Sequence, residues 1–168
     1  MIAEAEVFDA VRRGYEEFET ASPVEIIDYF SAIDDVSVMG HVNHIKGILF
    51  EQEYLDVLAM QGVEAEIFEA TNHPVSDMAI FEDGEVIGEL QLKATESAGY
   101  VTAAIEENPD VGFVVTSEVS ASMNNDAVID SGIEEAALEE AVGNTLFEEP
   151  LNPVGPISVI GWLLGLPF

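Results

Sequence analysis

Residues 76–95 read SDMAIFEDGEVIGELQLKAT, two alternating apolar–polar runs that meet at Asp83-Gly84. No other stretch limits the fold so tightly. A period of two turns successive side chains to opposite faces of a strand, and Asp-Gly suits the positive φ angles of a tight hairpin turn. The second run should carry Leu90 and Leu92 on one face, and Glu89, Gln91 and Lys93 on the other. The turn leaves two registers open. A two-residue loop sets Asp77 opposite Leu90. A three-residue loop with Gly84 in a left-handed bulge sets it opposite Gln91. The second gathers the polar groups on one side and is the register expected. Lys93 is one of only two lysines in a chain with 34 acidic residues. A charged side chain in an apolar run is costly unless it is paired. Either Lys93 is bridged to Glu89 or Asp77 as plain structure, or it belongs to a site.

The flanking sequence supplies the partners of such a hairpin. Helical spacing covers residues 2–19 and 23–33, the second with Ser22, Pro23 and Glu25 arranged as a capping box. A third helix runs through NHIKGILFEQEYLDVLAMQG, where Ile45, Leu49, Tyr54, Leu55 and Leu58 make the apolar stripe and Gly62 the cap. VEAEIFEA alternates as a strand. ESAGYVTAAIEEN reads as a short helix stopped by Asn108-Pro109, and VGFVVTS, Val111 to Ser117, as a buried strand. DSGIEEAALEEAVGNTLF returns to helix near Ser131. The expected fold is α/β, a mixed central sheet flanked by helices. It has a helical extension over 1–40, the α/β domain over 41–148, and a proline-containing segment with an apolar tail over 149–168.

Composition narrows the function. At 168 residues the chain suits one domain with a real core. It has no cysteine, which excludes disulfides and thiolate sites. The early residues lack the apolar region of a signal peptide, and the tail ISVIGWLLGLPF is too short and broken for a membrane span. A cytoplasmic location is therefore expected. The formal charge of −30 repels nucleic acid at low salt. It admits three explanations: a high-salt cytoplasm that screens it, mimicry of a nucleic acid, or a cation-binding surface. Acidic residues are scattered from Glu4 to Glu149, which favours the first. The tail is an expected docking segment for a protein partner or a second copy.

The hairpin and its surroundings resemble the restriction-endonuclease-like superfamily, whose motif is written PD-(D/E)xK. Asp77 corresponds to the motif aspartate, Gln91 to the second acidic position and Lys93 to the lysine. Glutamine there is similar to the Mrr-type branch, where QxK is common. GILFEQEYLDVLAMQGVEAEIFEA is similar to that family's opening helix and strand, with Glu51 at its glutamate, and VGFVVTSEVSAS to a later strand and the start of a helix. The resemblance covers Val42 to Ala121. The residues before Asp77, HPVS, depart from the glycine-rich approach of Mrr-type enzymes.

The resemblance implies a restriction-endonuclease-like core and Mg²⁺- or Mn²⁺-dependent hydrolysis of DNA phosphodiesters, an endonuclease activity. Its implied metal ligands are Asp77, Gln91, Glu51 and the carbonyl of Leu92; its implied catalytic residues are Asp77, Gln91, Glu51 and Lys93. Oxygen donors suit a hard cation, and a lysine beside them suits water orientation or phosphate stabilisation. Glu89 is an alternative ligand, further down the strand. The competing expectation is a catalytically inactive protein of this fold, used for protein–protein assembly in a high-salt organism or its virus. Remaining candidates read as structure: His41, His44 and His73 as capping or surface residues, Lys46 as solvent-exposed, Arg12 paired with Glu16, and ALEEAV as a solvated helix face.

Overall fold

The computed structural model describes residues 1–68 and 76–147. The expected apolar tail and His73 lie outside these residues. Contacts divide the chain into two compact units, one made of Met1–Leu49 with Ala136–Phe168 and the other of Phe50–Glu135. Helix α3, Asp35–Met60, contributes residues to both.

The first unit contains α1 (Glu4–Gly14), a 3₁₀ turn (Glu16–Phe18), α2 (Pro23–Ser31), the start of α3, and most of the last helix, Glu135–Leu146. The first helix is thus shorter than 2–19, ending at Gly14. Local rules set α2: Ser22 Oγ accepts from Glu25 N at 3.3 Å, and Glu25 Oε2 accepts from Ser22 N at 2.7 Å. This reciprocal cap satisfies two N–H groups that the helix leaves unpaired. Gly14 lies close to α3: a methyl group there would meet the tip of the Ile48 side chain and the His44 ring, and the Ile48 tip would have to shift. Arg12 pairs with Asp9 at 2.8 Å instead of Glu16, and its Nε donates to the Ala21 carbonyl at 3.0 Å.

Lys46 corrects the expectation of a solvated side chain. It is 4% exposed and donates to Glu139 at 3.1 Å, a residue 7% exposed within the supposedly solvated ALEEAV helix face. Nothing local marks either residue, since they are 93 apart in sequence. Tyr15, Phe18, Tyr29, Phe30, His41 and His44 form an aromatic cluster in the same unit. The Tyr15 hydroxyl lies 2.6 Å from His41 Nδ1 and burial pushes its pKa up to about 12, so the phenol stays protonated. His44 Nε2 lies 3.2 Å from the Gly14 carbonyl. Both histidines serve as packing and hydrogen-bonding residues.

The second unit holds a five-stranded mixed sheet in the order β1-β2-β3-β4-β5. The strands are Glu64–Ile67, Met78–Glu82, Glu85–Lys93, Gly112–Val115 and Val128–Asp130. β1, β2 and β3 are antiparallel; β4 and β5 follow in parallel. Parallel neighbours need crossover connections, and α4 (Ala98–Glu107) and α5 (Ser117–Met123) provide them. Val101 of α4 and Val119 of α5 pack with Val115, all at most 1% exposed. α5 begins within SEVSAS, where the resemblance placed the start of a helix, whereas β5 was not anticipated: it has only three residues, too few to show a period. α3 closes as expected at Gly62, whose φ is +77°. Gly62 N–H bonds the Ala59 carbonyl at 3.0 Å and Val63 N–H the Leu58 carbonyl at 2.9 Å, the two bonds of a Schellman cap.

Two substitutions test this packing. Lys46→Met, which leaves Glu139 buried without its cation, should cost about 3–5 kcal/mol in denaturant unfolding, while Lys46→Met/Glu139→Leu should recover most of it. A Cβ at Gly112 would sit 2.8 Å from Leu90 Cδ2 across the β3–β4 ladder. Gly112→Ala should therefore lower stability by about 1–3 kcal/mol, the usual cost of overpacking.

Candidate active site

The polar face of β3 depends on how the hairpin is built. Asp83 and Gly84 both have positive φ, 52° and 82°, and Glu82 pairs with Glu85. The loop is therefore a two-residue turn of the mirror-image kind, not the three-residue loop expected. The register change comes instead from a bulge. Phe81 pairs with Val86 but Ile80 with Gly88, so Ile87 is an extra residue on β3. Beyond it Met78 pairs with Leu90, which is the register that the three-residue loop was expected to give, reached by a different device. The bulge has a clear physical reason. Met78 and Leu90 are both buried, and without the extra residue Met78 would face the exposed Glu89.

Along β3, Leu90 and Leu92 are each 7% exposed, while Gln91 and Lys93 are half-buried on the opposite face, as the alternation requires. Asp77 stands just before β2. Its N–H donates to the Leu90 carbonyl at 2.8 Å, and its Oδ2 accepts from Leu92 N–H at 2.7 Å. The carboxylate is thereby fixed against the strand that carries Gln91 and Lys93. Burial pushes its pKa up, opposed by the Leu92 hydrogen bond and by the charge of Lys93. Glu51 is half-buried on α3, within the same unit. Glu89 is held elsewhere, accepting from the buried Ser76 Oγ at 2.5 Å.

β4 pairs with β3 so that Gln91 lies beside Phe113 and Lys93 beside Val115. Residues in register on parallel strands share a face, so Lys93 lies on the side of the sheet where α4 and α5 pack on Val115. There the Lys93 Nζ sits 5.5 Å from the centre of the ring of Tyr100, the third residue of α4 (AGYVTAAIEE) and part of its first turn. Sequence reading missed Tyr100. Its only signal is its place one helical turn after the Ser97 cap, which accepts the Tyr100 N–H at 3.1 Å.

The donors offered by Asp77, Glu51, Gln91 and the Leu92 carbonyl are all oxygens. That chemistry fits Mg²⁺ or Mn²⁺ and not a soft metal. Among the described residues no three His, Asp or Glu side chains converge as a ready-made cation cage. Mg²⁺ ordinarily needs none, since it is held by one or two carboxylates with water and substrate phosphate. A cation would also relieve the cost that burial places on the charged form of Asp77.

Comparisons with protein families, with characterised proteins and with solved structures find no match for this chain. Among the described residues no helix is long and apolar enough to cross a membrane.

The Asp77 environment gives a pH test. Its folded-state pKa is raised, so the folded chain holds the proton more tightly than the unfolded one. Stability must then fall as pH rises from the ordinary aspartate value through the raised one. Asp77→Asn keeps an oxygen for the Leu92 N–H and removes the titration. It should melt higher than the wild type at pH 7, with the advantage disappearing as pH drops below about 4, the ordinary aspartate range.

Proposed function

We propose that Phe50–Glu135 is a metal-dependent phosphodiesterase domain of the restriction-endonuclease-like class, acting on DNA. The observation that carries this reading is the Asp77 carboxylate, half-buried and bonded to the Leu92 N–H between the two polar positions Gln91 and Lys93. The order α3-β1-β2-β3-α4-β4, with the first three strands antiparallel and the fourth parallel to the third, supports it. The order of helix, three strands, helix and strand is the one on which the resemblance rests.

In this reading Asp77, Glu51, the Gln91 amide oxygen and the Leu92 carbonyl are the groups that would hold Mg²⁺ or Mn²⁺. The chemistry such a cation would supply is a more acidic bound water and neutralisation of charge on the phosphate. The chain's own groups do the rest. Asp77 presents a carboxylate whose direction is fixed by the Leu92 N–H, so little reorganisation accompanies binding. Lys93 orients the attacking water or donates to a phosphate oxygen. Gln91, a neutral donor, leaves Glu51 to provide the second negative charge.

The net charge of −30 opposes DNA binding in dilute buffer. In a high-salt cytoplasm the Debye length falls to about 3 Å at 1 M, and long-range repulsion fades. The same charge, together with the scarcity of cations, favours the second reading: a protein of this fold that no longer cuts and serves assembly. One experiment separates them. Purified protein is incubated with linear and plasmid DNA and Mg²⁺ or Mn²⁺ from about 0.1 to 3 M KCl, the span over which screening develops. Cleavage should appear at high salt and fall on the order of 10²-fold or more in Asp77→Ala and Lys93→Ala with folding intact, the usual loss for a positioned acid–base group. Absence of cleavage at every salt, by a folded protein, selects the assembly reading.

A further inference from the structure

Lys93 is the only lysine or arginine between Phe50 and Glu135. Lys46 is committed to Glu139, and Arg12 to Asp9, both in the other unit. A lysine ends in a compact point charge on a stem with several rotatable bonds. In a domain with other cations, a wandering ammonium is covered by its neighbours. Here no other lysine or arginine of the unit can take its place.

The structure gives this side chain a guide. The Tyr100 ring lies under the ammonium, with Nζ 5.5 Å from the ring centre, inside the range of a cation–π contact. The ring is itself well placed. α4 begins at Ala98 with Ser97 as its cap, and the cap bond uses the backbone N–H of Tyr100, leaving the side chain uncommitted to capping. The fixed sheet register puts Lys93 on the face that α4 covers. Yet Tyr100 is 55% exposed, and the other exposed large apolar residues described in this unit, Met60, Val86, Ile87 and Ile129, are all aliphatic. An aromatic ring left in water beside the one cation of a domain is poorly explained by core packing.

We propose that Tyr100 is a positioning residue, whose ring holds the Lys93 ammonium over the place where a substrate phosphate binds. This rests on the phosphodiesterase reading above, and adds to it a residue outside the motif. A cation–π contact favours the charged form of the lysine and gives its ammonium a direction. It is a direct contact, so salt screens it less than a long-range ion pair.

The test uses the full chain and the variants Tyr100→Phe and Tyr100→Leu. Neither disturbs the Ser97 cap, which involves only backbone at Tyr100. Because the chain has two lysines, a sample labelled at lysine alone gives two sets of ε-methylene signals in NMR, and Lys93→Arg assigns them. In the wild type and Tyr100→Phe the Lys93 ε-protons should be shifted upfield by the ring; in Tyr100→Leu the shift should vanish. Cleavage at high KCl with Mg²⁺ should show kcat reduced about two- to five-fold in Tyr100→Leu with KM little changed, and restored in Tyr100→Phe, the size expected of one partly exposed cation–π contact. Lys93 ε-protons that are unshifted in the wild type, or equally shifted in Tyr100→Leu, overturn the proposal. So does a wild type that cuts no faster than Tyr100→Leu. A wild type that does not cut at any salt overturns the parent reading and the catalytic part of this one together, and the NMR result then reports the ring contact separately.

Discussion

One inserted residue, Ile87, governs the polar face of the sheet. The Asp83-Gly84 turn alone would pair Met78 with Glu89, setting an apolar residue against a charged one. The bulge shifts the ladder by one position, so Met78 meets Leu90 and both are buried. Only with that shift do Leu90 and Leu92 sit in the core while Gln91 and Lys93 stay on the other side. Asp77 follows from the same shift, since its N–H and carboxylate engage the backbone of β3 at Leu90 and Leu92. The constraint is geometric before it is chemical. A period-two side-chain pattern and a twisted two-residue turn were incompatible, and the extra residue reconciles them.

Much of the fold was legible because its signals are local. Ser22 and Glu25 lie three apart and cap each other. Gly62 takes the positive φ that few other residues tolerate, and Asp83-Gly84 marks the turn by the same rule. Alternation along GELQLK assigned faces correctly. The bulge was not legible, because nothing in Val86-Ile87-Gly88 distinguishes a bulged residue from a paired one; the cost it avoids lies on the opposite strand. β5 was missed for a similar reason, being three residues whose strand character comes from pairing with β4.

The candidate site divides along the same line. The face shared by Gln91 and Lys93 could be read from spacing, and the hydrogen bond from Leu92 to Asp77 could not, because it depends on where β2 begins. Tyr100 needed three further facts: the parallel register of β4, the side on which α4 crosses, and the turn at which that helix starts. Lys46 shows the limit most plainly. In sequence it sits in an ordinary helix beside Gly47, and its charge lies inside against the distant Glu139.

The same ion pair has a bearing on the order in which the chain can assemble. Lys46 lies in the opening segment of its unit and Glu139 in the segment that returns after Glu135, so that unit is discontinuous in sequence and the other is an unbroken run. During synthesis Phe50–Glu135 is complete before the helix carrying Glu139 has left the ribosome. The sheet can close on contacts already present, whereas the buried ion pair of the first unit waits for Glu139. A chain cut short before Glu139 would keep every described strand of the sheet and lose this counterion of Lys46.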